Sequence, residues 1–437
     1  MPSALELQDP TSAAYKKAKR KYLKTTKNRP EQTDGDWTPF RSAEKKYKAR
    51  FPPPDLSSVF DIAASDPERA EEISRGGWKG RVDAIDHRQI NLDLGEGSSK
   101  RAYVFPAIPG LVLLPSFVST EEQRGLVRWS LRDHARHPNE TNLDTHYLLP
   151  REGLWNKYVD SEKGTSSEEE IQPRASLLDT TSLPGQDSGP RQLISNEPAS
   201  KDNIVPLTAT PKLPAPPSLS VKPSPVEAII PKLRWANIGW YYHWGTKQYD
   251  FTRGKIEVSP VVSNICKRAV NAVPWSEVHG AVAESNDWAQ DEHWSSWKDS
   301  YEPDAGIVNF YQTKDTLMAH VDRSEVCSTT PLVSISLGCA AVFLIGGLTR
   351  DVEPIPILLR SGDVVIMSGP QCRRAYHGVP RILEDTLPPQ FDGRKENEED
   401  SDWGLYEKYM RTTRINVNVR QVFPKGFDPG LGTSFTG

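Results

Sequence analysis

The residues best equipped for chemistry are His320-Val321-Asp322 and a second histidine, His377, which follows Asp322 by 55 positions. On a β-strand, residues two apart project to the same side, so His320 and Asp322 can grip one ion while His377 arrives from another strand. Two imidazoles and one carboxylate, with other coordination positions left open, make the facial set suited to Fe(II) and O2. Taken alone, the H-x-D spacing equally suits a turn or a satisfied surface pair.

Near the C-terminus, Arg414-Ile415-Asn416-Val417-Asn418-Val419-Arg420 alternates without a break. As a strand it places Arg414, Asn416, Asn418 and Arg420 on one face and Ile415, Val417 and Val419 on the other. Two inward guanidiniums without an anion would cost several kcal/mol, and a bound dicarboxylate would supply the anion. A half-exposed strand with a wet polar face fits the same pattern. Upstream, Asn309-Phe310-Tyr311 presents two hydrogen-bonding side chains on one strand face, although a core tyrosine with a capped hydroxyl would read the same.

Taken in order, Asn309-x-Tyr311, His320-x-Asp322, His377 and Arg414-x-Asn416-x-Asn418-x-Arg420 resemble the AlkB family of Fe(II)- and 2-oxoglutarate-dependent dioxygenases. The block His320-Val-Asp-Arg-Ser-Glu325 and the ending Val419-Arg-Gln-Val422 are most similar to the AlkB homologue one branch. The likeness is specific over 233–422 and weaker over 103–157. It implies a mainly β fold with flanking helices (α+β), a double-stranded β-helix or jelly roll with Fe(2+) at its open end. It also implies 2-oxoglutarate and O2 as co-substrates: His320, Asp322 and His377 hold the metal, Arg414 forks onto the distal carboxylate, Arg420 lies nearer the iron, and Asn309, Tyr311 and Asn416 hydrogen-bond the keto acid. The implied reaction is oxidative demethylation of N-methylated bases in DNA (N6-methyladenine) or tRNA (N1-methyladenine), with release of formaldehyde, succinate and CO2. One position departs: bacterial AlkB carries a second acid two residues after the metal aspartate, where this chain has Ser324, so base preference does not carry over. A 2-oxoglutarate-dependent hydroxylase or demethylase of protein, and a non-catalytic β-barrel binding module, are the alternatives.

Substrate contact would come from 232–255, which occupies the place of the family's nucleotide-recognition lid. Trp235, Trp240, Tyr241, Tyr242, Trp244 and Tyr249 put six aromatics within fifteen residues, against 9% in the whole chain. Lys232, Arg234, Lys247, Arg253 and Lys255 interleave with them, opposed by Asp250. Rings that stack on an extruded base and cations that hold phosphates fit this composition. Trp240, Tyr242 and Tyr249, with Lys247 and Arg253, are the candidate contacts; core packing explains part of the set, Trp235 above all.

Short β-rich runs must carry the site: 306–311, 332–337, 341–345, 355–359, 364–367, 376–379 and 414–422, with helices expected over 119–134 and 261–273. The segment 161–230 contains no aromatic residue, and 161–225 holds eleven prolines, so it reads as a disordered linker or insertion. The expected divisions are a basic, partly disordered extension over 1–100, the first part of the catalytic unit over 101–160, that linker, the dioxygenase domain over 231–424 and a tail over 425–437. The first fifty residues carry 13 Lys and Arg against 6 Asp and Glu, although the net charge is −4. The run Lys16–Lys21 suits a nuclear-localisation signal, a phosphate-binding patch or a solvated helix face. Nucleus, cytoplasm and mitochondrion all stay open. The four cysteines show no C-x-x-C spacing, which fits a reducing compartment and ferrous iron. The uncharged run 327–349 is interrupted by Gly338, Gly346 and Gly347 and reads as two strands with a turn, not a membrane span. Two insertions, 275–300 and 391–402, are set aside as surface features.

Overall fold

The computed structural model describes residues 2–27, 37–95, 100–165, 170–177, 197–212, 214–280, 294–393 and 402–427. Its strands are β1 (Arg88–Asn91), β2 (Arg101–Val104), β3 (Leu111–Leu114), β4 (Trp235–His243), β5 (Gln248–Lys255), β6 (Ala305–Gln312), β7 (Leu317–His320), β8 (Leu332–Gly338), β9 (Ala341–Ile345), β10 (Ile355–Leu359), β11 (Val364–Met367), β12 (His377–Ile382) and β13 (Thr413–Arg420). They form a nine-stranded sheet, β1-β2-β3-β11-β8-β13-β6-β4-β5, and a four-stranded sheet, β10-β9-β12-β7. The paired strands all run antiparallel. The last eight strands, β6 to β13, wind between the two sheets as a double-stranded β-helix, with β9 and β10 forming a hairpin within the smaller sheet.

Burial explains why these runs look as they do. In β9, Ala341, Phe343 and Ile345 face the space between the sheets, while Val342 and Leu344 face outward. The outward pair is covered by Phe40 and Tyr47 of the helix Pro39–Lys48, so both faces are apolar and the run shows no alternation. In β13, Ile415, Val417 and Val419 point into the large core shared with the helices Thr120–Arg128 and Pro260–Ala272. Ser119 caps the first of these helices in a reciprocal capping box with Glu122.

The N-terminal residues are more than an extension. Phe60 bridges Ile357 and Arg81, and Arg360 lies in a dry ion cluster, 2.9 Å from Asp61, while Arg69 sits 2.8 Å from Asp363 and 3.0 Å from Glu72. Burial pushes the Glu72 carboxyl upward against the pull of Arg69 and Arg360. The strand β1 already belongs to the large sheet, so a boundary at residue 100 cuts through the β1–β2 hairpin.

The reading of 161–230 as wholly unpacked needs correction for its described parts. Ile171, Ala199, Ile204, Val226, Ile229 and Ile230 are buried. Average composition concealed them, because a few aliphatic residues suffice when a preformed apolar surface receives them. The rest of that segment, together with 281–293 and 394–401 of the two set-aside insertions, lies outside the described residues. Trp275 and Trp297, which flank 281–293, are core residues with rings 4.8 Å apart. All four cysteines are buried and none is in a disulfide. Among the described residues, no helix is long and apolar enough to cross a membrane.

Candidate functional site

Antiparallel pairing of β12 with β7 sets His377 opposite His320, and Asp322 follows immediately after β7. The two imidazole centroids are 4.4 Å apart, His320 Nε2 is 3.7 Å from Asp322 Oδ1, and ligand atoms from all three residues lie within 4.8 Å of one another. Each ring is oriented by its own strand: Nδ1 of His320 is 3.0 Å from the Met318 carbonyl, and Nδ1 of His377 is 3.0 Å from that of Ala375. A carbonyl only accepts, so Nδ1 carries a proton in both rings and Nε2 is the ring atom left to face an ion. Burial pushes the His377 imidazole down to about 4 and keeps it neutral. Asp322 is held ionised, far below the usual carboxylate range: burial opposes this, but the Arg420 guanidinium outweighs it. Its Oδ2 is buried with no hydrogen-bond partner. Two imidazole nitrogens and an orphaned anionic oxygen make a donor set that fits Fe(II).

The inward face of β13 builds the second half. Arg414 is 2% exposed, and its Nη2 donates to Ser336 Oγ at 3.0 Å. Its Nε and Nη1 are buried without a partner. Desolvation pushes the guanidinium down to about 10, and Tyr311, whose ring centroid lies 5.8 Å away, only partly offsets this. A forked cation with two unspent donors is what a carboxylate of 2-oxoglutarate would satisfy. Asn416 donates to Ser334 Oγ at 2.8 Å and to the Ile335 carbonyl at 3.0 Å. Arg420, by contrast, already has protein partners: its Nε is 2.6 Å from Glu325 Oε1 and 3.0 Å from the Tyr249 hydroxyl, and its Nη1 donates to Asn418 Oδ1 at 2.9 Å. It braces the metal loop through Glu325. The motif gives no sign of this, because in the sequence Glu325 stands only as the end of the block His320–Glu325.

His320, Asp322, His377, Arg414, Asn416 and Arg420 border one cavity of about 530 Å³, which also takes in Asn309 and Tyr311. That volume falls within the ~300–1,000 Å³ usual for ligand sites. Its far side is lined by Tyr242, Trp244, Lys247 and Tyr249 from the β4–β5 hairpin. Gly239, at φ 69°, lets the hairpin leave the sheet: up to this residue β4 pairs with β6, and beyond it with β5.

Two of the expected substrate contacts need correction. Trp240 is 6% exposed and packs at 5.1 Å against Phe251, with Phe423 beyond; it anchors the hairpin and does not border the cavity. Arg253 is 2.8 Å from Glu140 and lies 3.9 Å over the Tyr241 ring, away from the cavity lining. Tyr249 reaches the cavity wall, but its hydroxyl donates to Glu325 at 3.2 Å and its ring is buried. Trp244, 40% exposed, lines the cavity yet was passed over, since nothing in a cluster of aromatics marks which ring faces inward.

Residues 198–420 match the family model of the 2OG-Fe(II) oxygenase superfamily. The chain belongs to this superfamily. Among curated relatives, the oxygenase is 27% identical over 405 residues to the DNA N(6)-methyladenine demethylase ALKBH1A of Arabidopsis thaliana, covering 89% of this chain and 97% of that protein. It is 29% identical over 391 residues to the tRNA demethylase abh1 of Schizosaccharomyces pombe, covering 88% and 96%. It is 27% identical over 411 residues to the nucleic acid dioxygenase ALKBH1 of Mus musculus, covering 89% and 85%. These relatives span nearly the whole chain and place the oxygenase in the AlkB homologue one branch of the AlkB family.

Proposed function

We propose that this oxygenase removes methyl groups from N-methylated bases of DNA or RNA, of the N6-methyladenine or N1-methyladenine type. The observation that carries the reading is a single cavity joining the His320–Asp322–His377 set and the half-satisfied Arg414 to a rim bearing Tyr242, Trp244 and Lys247. Relatives acting on DNA and on tRNA support the substrate class and leave the nucleic acid open.

Bound Fe(II), with 2-oxoglutarate and O2, supplies oxidation of a methyl C–H bond coupled to decarboxylation of the keto acid to succinate and CO2. The protein's own groups do the positioning. His320, Asp322 and His377 would hold the ion, and Arg414 would fix one carboxylate, with Asn309, Tyr311 and Asn416 beside it. Glu325 and Arg420 keep the loop after Asp322 in place. Tyr242 and Trp244 offer faces on which an extruded base stacks, and Lys247 offers a cation to its phosphate. The hydroxymethylated nitrogen then loses formaldehyde by C–N cleavage, which regenerates the base.

The test is succinate release and nucleoside mass spectrometry with methylated single-stranded DNA, total tRNA and methylated histone peptides, using the wild type and His377→Ala. Loss of the methyl mark from one nucleic acid, abolished in His377→Ala with little change in melting temperature, is expected. Turnover stimulated by the peptides and by no nucleic acid would replace this reading with a protein substrate.

A further inference from the structure

The cavity has a third wall that belongs to neither the barrel nor the lid. Ala199, Ile204, Leu207 and Thr208 line it, and they come from residues 197–212, a strap whose composition argued against any packing. Two attachments fix it. The Ala199 amide donates to the Arg323 carbonyl at 2.8 Å, next to the metal ligand Asp322. Ile204, 3% exposed, joins Trp240, Tyr249, Phe251 and Phe423 in one apolar cluster. In the short helix Ile204–Ala209, positions 204, 207 and 208 share a face, while Val205 is 56% exposed on another. Ile204 is buried in the cluster; Leu207 packs against the same cluster but stays only half buried, and with Thr208 it borders the cavity. At the next residue, Ser324 Oγ donates to the Lys247 carbonyl at 2.8 Å, so strap and hairpin hold the same loop at adjacent positions.

We propose that the strap is a substrate-contacting wall, in which Leu207 supplies an apolar surface for a planar methylated base whose other contacts come from the aromatic hairpin. This rests on the nucleic-acid reading above. It makes Leu207 a specificity-determining residue and gives the strap a part in base selection that the metal and 2-oxoglutarate groups do not share.

The experiment uses the full chain and a fluorescein-labelled single-stranded oligonucleotide carrying one N6-methyladenine, alongside its unmethylated twin. Anisotropy, demethylation, succinate formation without nucleic acid and melting temperature are measured for the wild type, Leu207→Ala, Leu207→Phe and Val205→Ala. Leu207→Ala should weaken binding of the methylated oligonucleotide on the order of tenfold, as expected for loss of an apolar side-chain contact. Succinate formation without nucleic acid should stay within about twofold, and Val205→Ala should match the wild type throughout. Should Leu207→Ala melt early, Leu207→Phe decides, because it keeps the apolar cover and adds bulk toward the cavity: selective loss of oligonucleotide binding supports the wall. Unchanged affinity in both Leu207 variants, with an active wild type, overturns the strap proposal alone. A wild type that neither binds nor demethylates any nucleic acid overturns the functional reading and the strap's role together.

Discussion

Replacing Arg414 with methionine should make the ligand-free protein no less stable while removing its response to 2-oxoglutarate. The guanidinium is buried with two nitrogens unpaired, and its pKa is pushed from 12.5 down to about 10. A folded-state value below the unfolded one means that the charged form is disfavoured by folding at neutral pH, by roughly 3 kcal/mol. Against this gain, the variant loses the bond to Ser336, worth about 1 kcal/mol, and a little volume, worth about another 1 kcal/mol. The net expectation is a stabilisation of about 1 kcal/mol. In the wild type, 2-oxoglutarate at about 100 times its Kd should add about 2.7 kcal/mol, and in the variant close to nothing. Urea unfolding with and without 2-oxoglutarate, in anaerobic buffer containing Mn(II), measures both quantities. A loss of more than about 2 kcal/mol in the ligand-free variant would show that Arg414 is not held at a net cost. An undiminished ligand response would show that it is not the carboxylate's partner. Arg414→Lys keeps a charge without the fork and should raise the 2-oxoglutarate KM by about 10- to 150-fold.

Asp61→Ala strips Arg360 of its main partner in a dry cluster and should cost about 3–5 kcal/mol in urea unfolding, with the double variant Asp61→Ala/Arg360→Met recovering much of it. His134 is buried against Trp129 at 4.4 Å and pushed down to about 4 from 6.5, chiefly by desolvation. Its neutral form is favoured by folding, so this contribution is fully present above pH 6.5 and is lost as pH falls toward 4, about 3 kcal/mol in all. His134→Phe should flatten that acid limb in denaturant melts; an unchanged slope from pH 6.5 to 4 would mean that the imidazole takes up its proton without unfolding.

Strands covered on both faces, or alternating cleanly, were legible in the sequence. The ranges read for β9, β10 and β11 are those observed, because each is a short apolar run closed by a turn such as Ser361-Gly362-Asp363. The two faces of β13 separate as alternation requires, with Arg414, Asn416 and Arg420 at the cavity and the aliphatic residues in the core. What stayed hidden depends on distant partners. Asp61 and Arg360 stand 299 positions apart, and neither residue alone announces a buried ion pair. Ile204 and Leu207 sit in a proline-rich stretch whose average polarity conceals them. Trp240 and Trp244 are indistinguishable by type, and only the bend at Gly239 and the seat of Phe423 send one inward and leave the other at the rim.

The strand that carries His320 lies at the margin of the four-stranded sheet, where unpaired backbone groups would invite another chain to add a strand. Ala319 is shielded from this. Its amide donates to Glu44 Oε1 at 2.7 Å, and its carbonyl accepts from Arg350 Nη2 at 2.9 Å. Glu44 belongs to the helix Pro39–Lys48, so the N-terminal region acts as a guard against self-association on the strand that ends in a metal ligand. A protein trimmed to the 198–420 family region would lose Glu44 and leave that margin half bare, and it would be prone to aggregate before its catalysis could be judged.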